Sequence, residues 1–171
     1  LKVVELSTYV AVPKAARMMA DWGAQVIKVE PPGGEAWRWM GRVWGLPAAE
    51  DNNPLFHSEN ANKKSLSLDL KKEAGKDVFL RLLENADIFM TNTRSNALEK
   101  LGLDYETLSL KFPKLIYAHF SGFGDEGPEK NRPGFDVAAF WARSGALIEW
   151  GALESSPNRP HPGFGDGTVA S

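Results

Sequence analysis

The sequence predicts an α/β fold, a parallel sheet with helices on both faces. Two observations predict it: short β-branched, apolar runs recur along the chain, and segments with an apolar face at helical spacing separate them. Lys2–Leu6 is the first run and should be a buried strand. Pro13 suits the first turn of the helix that follows. Ala15, Ala16, Met18, Met19 and Trp22 give that helix its apolar face, and Gly23 closes it. Ala24–Val29 is the second strand, ended by the turn Pro31-Pro32-Gly33-Gly34. From there to about Asn62 no period is legible. The segment reads as one long loop holding Trp37, Trp39, Trp44 and the pair Glu50-Asp51, and loops of that length in compact domains are usually functional.

Ser65–Leu70 alternates as a third strand, and Lys72–Asn85 reads as a helix with Val78, Leu82 and Leu83 on one face. Ala86–Thr91 is the fourth strand. Short helices are expected over Asn96–Leu101 and Tyr105–Lys111, and Leu115–Phe120 is the fifth strand. Gly122–Pro133 reads as a loop, Phe135–Gly145 as a helix and Ser155–Gly165 as a loop. Strands spaced by helices pair in parallel, because the helix supplies the crossover. The chain has no internal repeat, low-complexity segment or interdomain linker.

The 171 residues suffice for one domain with a hydrophobic core. A net charge of -2 gives no reason to expect nucleic acid. With no cysteine, a disulfide framework, a thiolate metal site and a cysteine nucleophile are all excluded. No apolar run approaches the roughly 20 residues that span a bilayer. A cytoplasmic protein that binds neither membrane nor nucleic acid is therefore expected. Leu1 begins in mid-strand and Gly167–Ser171 reads as the first turn of a helix, so a piece of a longer protein is expected.

Ligands of an open α/β sheet bind beyond the carboxyl ends of its strands. Those ends carry Arg38, Lys71, Lys72, Asn92 and Arg94, a set that suits a phosphate-bearing ligand, although surface loops carry such residues in any case. No G-x-G-x-x-G follows the first strand and no G-x-x-x-x-G-K-[ST] occurs, which disfavours dinucleotide and P-loop chemistry. Glu30 reads as structural, pairing with Arg38. His119 reads as a satisfied interior histidine, and His57 and His161 lack metal-ligand spacing. Trp37 and Trp39 flank Arg38 and are candidates for walling a site. In Gly163-Phe164-Gly165-Asp166-Gly167, flanking glycines let other groups approach a carboxylate. From the residues alone, Asp166 reads more readily as a helix N-cap than as a nucleophile.

Read together, the segments VVELSTYVAVPKAARMMADWGAQVIKVEPPGGEAWR, ENANKKSLSLDLKKEAGKDV, ADIFMTN, ALEKLGLDYETL, FPKLIYAHFSGFGDEGP, PGFDVAAFWARSG and GFGD resemble the class III CoA-transferase family. They occur in family order over nearly the whole chain. ENANKK, GLDYETL and PGFDVAAFWARSG are most similar to the branch acting on 2-hydroxyacids and their 2-enoyl-CoA partners. The resemblance implies a Rossmann-like parallel sheet flanked by helices, incomplete without a C-terminal part. Residues 1–171 would then be the N-terminal part of the large CoA-binding domain, with a small second domain and the chain's return lying beyond. It implies Asp166 as the catalytic nucleophile. It implies Arg38, Leu68, Lys71, Asn92, Thr93 and Lys100 as coenzyme A contacts, with Val10 and Ala11 along the pantetheine. Coenzyme A would be a substrate, with no metal or other cofactor, an acyl-CoA and a carboxylic acid would be the partners, and the enzyme an interlocked homodimer.

Two features depart from the family pattern. Many relatives carry His after the nucleophile where this chain has Gly167, and Thr168-Val169-Ala170-Ser171 stands where an A-G pair is expected. Three rival readings remain at this level. An α-methylacyl-CoA racemase of the same superfamily reads G-H-D where this chain has Gly134-Phe135-Asp136, and phenylalanine cannot move a proton. A binding domain without turnover is the second. An unrelated nucleotide-binding α/β protein is the third, and the missing phosphate motifs count against it.

Overall fold

The structure is a computed structural model, and it describes residues 1–46, 48, 49, 52–151, 161 and 163–170. Five strands form one sheet: β1 (Lys2–Leu6), β2 (Gln25–Glu30), β3 (Lys64–Ser67), β4 (Ile88–Thr91) and β5 (Ile116–His119). Their order is β3-β2-β1-β4-β5 and every pair is parallel. This Rossmann-like order places a topological switch between β1 and β4, where the chain turns from building one half of the sheet to the other.

The three central strands, β1, β2 and β4, are buried on both faces, and alternate residues serve different cores. Val4, Val29 and Phe89 pack with Phe79 and Leu83 of α4 (Glu73–Leu83), Leu98 of α5 (Ser95–Leu101) and Leu108 of α6 (Tyr105–Lys111). Val3 and Val26 face the other way, onto Ala16 and Ala20 of α1 (Ala11–Asp21). The short apolar runs that suggested a parallel sheet are thus the period-2 strands of a two-faced core.

Two helices occupy the segment without a legible period, α2 (Trp37–Val43) and α3 (Pro54–Asn60). Each has only seven residues and buries few side chains, chiefly Trp37 and Phe56, so no repeat accumulates. Asn53 caps α3 by accepting the Phe56 N–H at 3.2 Å, with Pro54 behind it at the first helical position. The third strand stops at Ser67, short of Leu70. The helix expected over Phe135–Gly145 is a π-helix over Val137–Ala142, followed by a separate turn, α7 (Ala146–Glu149). The wider winding accompanies a bond from the Trp141 indole back to Asp136, at 3.1 Å. The last helix is α8 (Phe164–Val169). Most of the expected Ser155–Gly165 loop, and the pair Glu50-Asp51, lie outside the described residues. Among the described residues no helix is long and apolar enough to cross a membrane.

Candidate active site

The loop after β1 is fixed from both neighbouring strands. Asn92, just beyond β4, accepts the Thr8 N–H at 2.9 Å and donates to the Thr8 carbonyl at 2.8 Å. Tyr9 follows with φ of 63°, an uncommon left-handed conformation for a non-glycine residue. Its N–H is held by Glu35 at 3.1 Å. Glu35 also accepts the Trp37 N–H at 2.9 Å, tying the start of α2 to the same carboxylate.

Beneath this loop lies a buried charge network. Glu5 and Lys28 are cross-strand neighbours in the β1–β2 register and pair at 2.9 Å. Lys28 also faces Glu35 at 3.4 Å and donates to the Ser7 carbonyl at 3.2 Å. Lys63 pairs with the second Glu5 oxygen at 2.8 Å and donates to the Pro13 carbonyl, in the first turn of α1, at 2.7 Å. These four side chains are at most 2% exposed, and two cations meet two anions. Burial pushes the Lys63 ammonium down to about 8, against the pull of Glu5. Burial likewise raises the Glu35 carboxyl, opposed by Lys28. Charges embedded in KVVEL and QVIKVE were the sequence signal for this network, which the strand periodicity alone did not expose.

Arg38 is gripped by Glu30, through two bonds of 2.7 Å, and its guanidinium lies 3.7 Å from the centre of the Phe56 ring. Burial works to raise the Glu30 carboxyl, but the Arg38 bonds outweigh it and hold it below the usual carboxylate range. The expected Glu30–Arg38 pair is therefore formed, with the Arg38 side chain still 30% exposed at the sheet edge. Trp37 turns inward and donates its indole N–H to the Leu55 carbonyl at 2.8 Å, while Trp39 stays exposed. Only Trp39 of the two faces solvent near Arg38.

The opposite wall is the Gly163–Gly167 corner. Gly163, with φ of 75°, is the N-cap of α8, and Asp166 stands inside the first turn. The N-cap reading of Asp166 is thus corrected: the capping acceptor is Asp136, thirty residues upstream. One Asp136 oxygen accepts the Asp166 N–H at 2.8 Å, and the other accepts the Gly163 N–H at 3.2 Å and the Trp141 indole. Gly165 is required here, since a Cβ would fall 2.5 Å from the Asp136 carboxylate and 2.2 Å from the Phe140 ring. Burial, and then the negative charge of Asp136, push the Asp166 carboxyl up to about 6. Such a carboxylate is a stronger base and nucleophile than a solvated one, yet remains ionised at neutral pH.

The two walls meet at the N-terminal end of α1, where Val10 approaches Gly163. Gly122 and Gly134 touch backbone to backbone, where a Cβ on Gly122 would lie 2.2 Å from the Gly134 Cα. That contact draws the Pro133–Asp136 segment onto the carboxyl end of β5. Phe135 then meets Tyr9 edge-on at 5.8 Å, and Tyr9 meets Trp37 at 5.9 Å. An apolar cleft of about 200 Å³, bordered by Ala11, Ala15, Met90, Phe120 and Val169, runs beside α8.

Of the expected residues, Val10, Ala11, Arg38, Leu68, Asn92 and Thr93 share the carboxyl edge of the sheet. Leu68 bonds through its N–H to the Glu30 carbonyl at 2.8 Å. The Asn92 side chain is occupied with Thr8, and Thr93 offers its carbonyl to His119 Nε2 at 2.9 Å. His119 also lies 3.2 Å from Asp125, as suits a satisfied interior histidine. Lys71 and Lys100 are exposed, Lys100 in the last turn of α5, and neither is drawn toward Asp166. Sequence reasoning missed Asp136, Glu35 and Lys63, each of which has at least one partner more than 20 residues away, in Asp166, Tyr9 and Glu5.

The whole chain, residues 1–171, matches the family described as CoA-transferase family III. The chain belongs to that family. It is 45% identical over 166 residues to an (R)-2-hydroxy-4-methylpentanoate CoA-transferase of Clostridioides difficile, covering 97% of this chain and 42% of that protein. It is 47% identical over 169 residues to a cinnamoyl-CoA:phenyllactate CoA-transferase of Clostridium sporogenes, covering 97% of this chain and 40% of the relative. A CAIB/BAIF family protein from Brucella suis superposes with a TM-score of 0.89 at 34% identity, over 99% of this chain and 46% of its own. The chain thus spans less than half the length of these relatives.

Proposed function

We propose that the whole protein moves coenzyme A between a CoA thioester and a free carboxylic acid, with Asp166 as nucleophile. The observation that carries this is a half-buried carboxylate, pushed up to about 6, in the first turn of a short helix whose backbone is held by Asp136 and whose far end borders an apolar cleft. In the proposed first step an Asp166 oxygen attacks the acyl carbon, the C–S bond breaks, and a mixed anhydride and CoA thiolate result. The thiolate then attacks the Asp166 carbonyl carbon, and the donor acid leaves as its carboxylate. An acceptor carboxylate reverses both steps and departs as the new thioester. No net proton is transferred, and the steps call for no metal or redox cofactor.

Coenzyme A lies, in this reading, along the sheet edge, its pantetheine passing Val10 and Ala11. Its nucleotide end meets Arg38, Leu68, Lys71, Asn92, Thr93 and Lys100. The acids are 2-hydroxyacids or aryl and 2-enoic acids, as the names of the two relatives suggest. The aromatic wall of Tyr9 and Phe135 suits an apolar or aryl group. Residues 1–171 form the first part of a large CoA-binding domain in an interlocked homodimer. A racemase reading would need a base where Phe135 stands, a ring that meets Tyr9 edge-on and has no proton to move.

The test is mass spectrometry of the full-length protein after incubation with cinnamoyl-CoA and trapping with hydroxylamine. A hydroxamate at Asp166 is expected. Absence of any carboxylate adduct, with α-proton exchange present, would sink the transferase reading in favour of a racemase.

A further inference from the structure

We propose that Lys14 is the cation that receives the carboxylate of the acid substrate beside Asp166, in space that Gly167 leaves open. Lys14 is in the first turns of α1, the helix on which α8 leans. A Cβ added at Gly167 would lie 2.9 Å from Lys14 Nζ. The ammonium therefore occupies the space where any side chain following the nucleophile would begin. Gly167 is buried, so the two positions are complementary: the bare backbone makes room for the end of the lysine.

Three other cations near this corner are engaged. Lys28 and Lys63 are bonded to Glu5, and Arg38 to Glu30. Lys14 makes no ion pair or hydrogen bond through its side chain among the described residues. Its base is rigid, since Lys63 ties the Pro13 carbonyl of the same turn to the buried network.

The chemistry calls for such a group. An acceptor acid arrives as an anion at a corner that already holds the buried Asp136 carboxylate, and like charges repel strongly where water is scarce. A carboxylate oxygen of the acceptor attacks the carbonyl carbon of the Asp166–CoA thioester, the C–S bond breaks and CoA leaves as thiolate. Lys14 offsets the charge of the incoming acid without changing protonation. The same ammonium steadies the donor acid as it leaves. Coenzyme A thioesters, neutral at the reacting carbonyl, have no such requirement.

This inference rests on the transferase reading, and its test separates the two. The full-length enzyme is assayed with cinnamoyl-CoA as donor and phenyllactate as acceptor, as wild type, Lys14→Met and Lys14→Arg. In Lys14→Met the KM for phenyllactate should rise about ten- to a hundredfold, the range for losing a hydrogen bond to a charged group. The KM for cinnamoyl-CoA, and cleavage of the loaded enzyme by neutral hydroxylamine, should stay within about twofold, because neither brings a negative charge to that point. Lys14→Arg should recover most of the acid affinity. An unchanged KM for the acid in Lys14→Met overturns the inference, as does an equal loss toward phenyllactate and hydroxylamine. If Lys14→Met does not fold, a Lys14→Arg enzyme with unaltered acid KM and a Gly167→Ala enzyme, whose Cβ displaces the ammonium, with equally unaltered KM overturn it. A wild-type enzyme that never loads Asp166 overturns the transferase reading itself, and this inference falls with it.

Discussion

The two walls of the candidate site bury charge in opposite ways. Under the β1 loop, two lysines meet two glutamates, and Glu35 accepts further N–H donors from Tyr9 and Trp37. At the Gly163–Gly167 corner, two carboxylates sit together, and Asp136 spends its oxygens on N–H groups while Asp166 is left with a raised carboxyl. Balanced burial yields a rigid support in which each charge faces an opposite one, although burial still raises the Glu35 carboxyl and lowers Lys63. Unbalanced burial yields a group whose free energy improves when its charge is removed, as covalent attack on an acyl carbon does. In the proposed transferase reading the first wall positions and the second reacts.

That contrast breaks most visibly at Asp166. On the proposed transferase reading, Asp166→Ala in the full-length protein should lower turnover by at least about a thousandfold, with CoA affinity within a few-fold. Its stability should move the other way. Between 3.8 and about 6 the folded chain keeps a proton that the unfolded chain has lost, so stability falls as pH rises through that window. The alanine variant has no such fall, and its melting temperature at neutral pH should equal or exceed that of wild type. A lower melting temperature would mean that Asp166 supports the fold.

The next largest effect belongs to the balanced wall. Lys28→Met strands Glu5 and Glu35 with only Lys63 between them, and should cost about 3–5 kcal/mol of stability in denaturant titration. A cost below about 1 kcal/mol, the range of exposed pairs, would show that water reaches the network and that it is no rigid support.

The sheet was legible because its strands are short β-branched runs separated by helices, each obeying a local period. Lys2–Leu6 and Tyr105–Lys111 have the bounds the sequence suggested. The helices α2 and α3 were not legible, because two turns with one or two buried aromatics leave no repeat to detect. The π-helix was hidden for a different reason: its winding accompanies the Trp141–Asp136 bond, and side-chain bonds leave no periodicity. Asp166 stood out by its flanking glycines. What those glycines approach, Asp136 and Lys14, lies 30 and more than 150 residues away, and only folding joins them.

Asp136 tests whether the pairing of like charges matters for chemistry. Asp136→Asn keeps a carbonyl acceptor but removes the negative charge facing Asp166. On the proposed reading, the acid limb of the kcat/KM profile for acyl-CoA should follow Asp166, whose carboxyl burial and Asp136 push up to about 6, and in this variant it should move toward lower pH. Turnover should fall about ten- to a hundredfold, since one carboxyl oxygen no longer holds the Gly163 N–H and the corner shifts. An acid limb that stays put would assign the raised carboxyl to burial alone.

The smallest effect should come from the outermost bond of the same corner. Trp141→Phe removes the indole N–H that reaches Asp136 at 3.1 Å. It retains an aromatic ring among Phe140, Trp150 and Phe164, whose centres lie 5.6, 5.0 and 5.7 Å from that of Trp141. Asp136 keeps its bonds to Gly163 and Asp166, so no buried carboxylate is left bare. A loss of about 1 kcal/mol, the net worth of one hydrogen bond, is expected in thermal unfolding. The acid limb should stay where wild type has it, because neither charge has changed. A shift of that limb as large as the one from Asp136→Asn would mean that the indole, and not the carboxylate alone, sets the distance between the two aspartates.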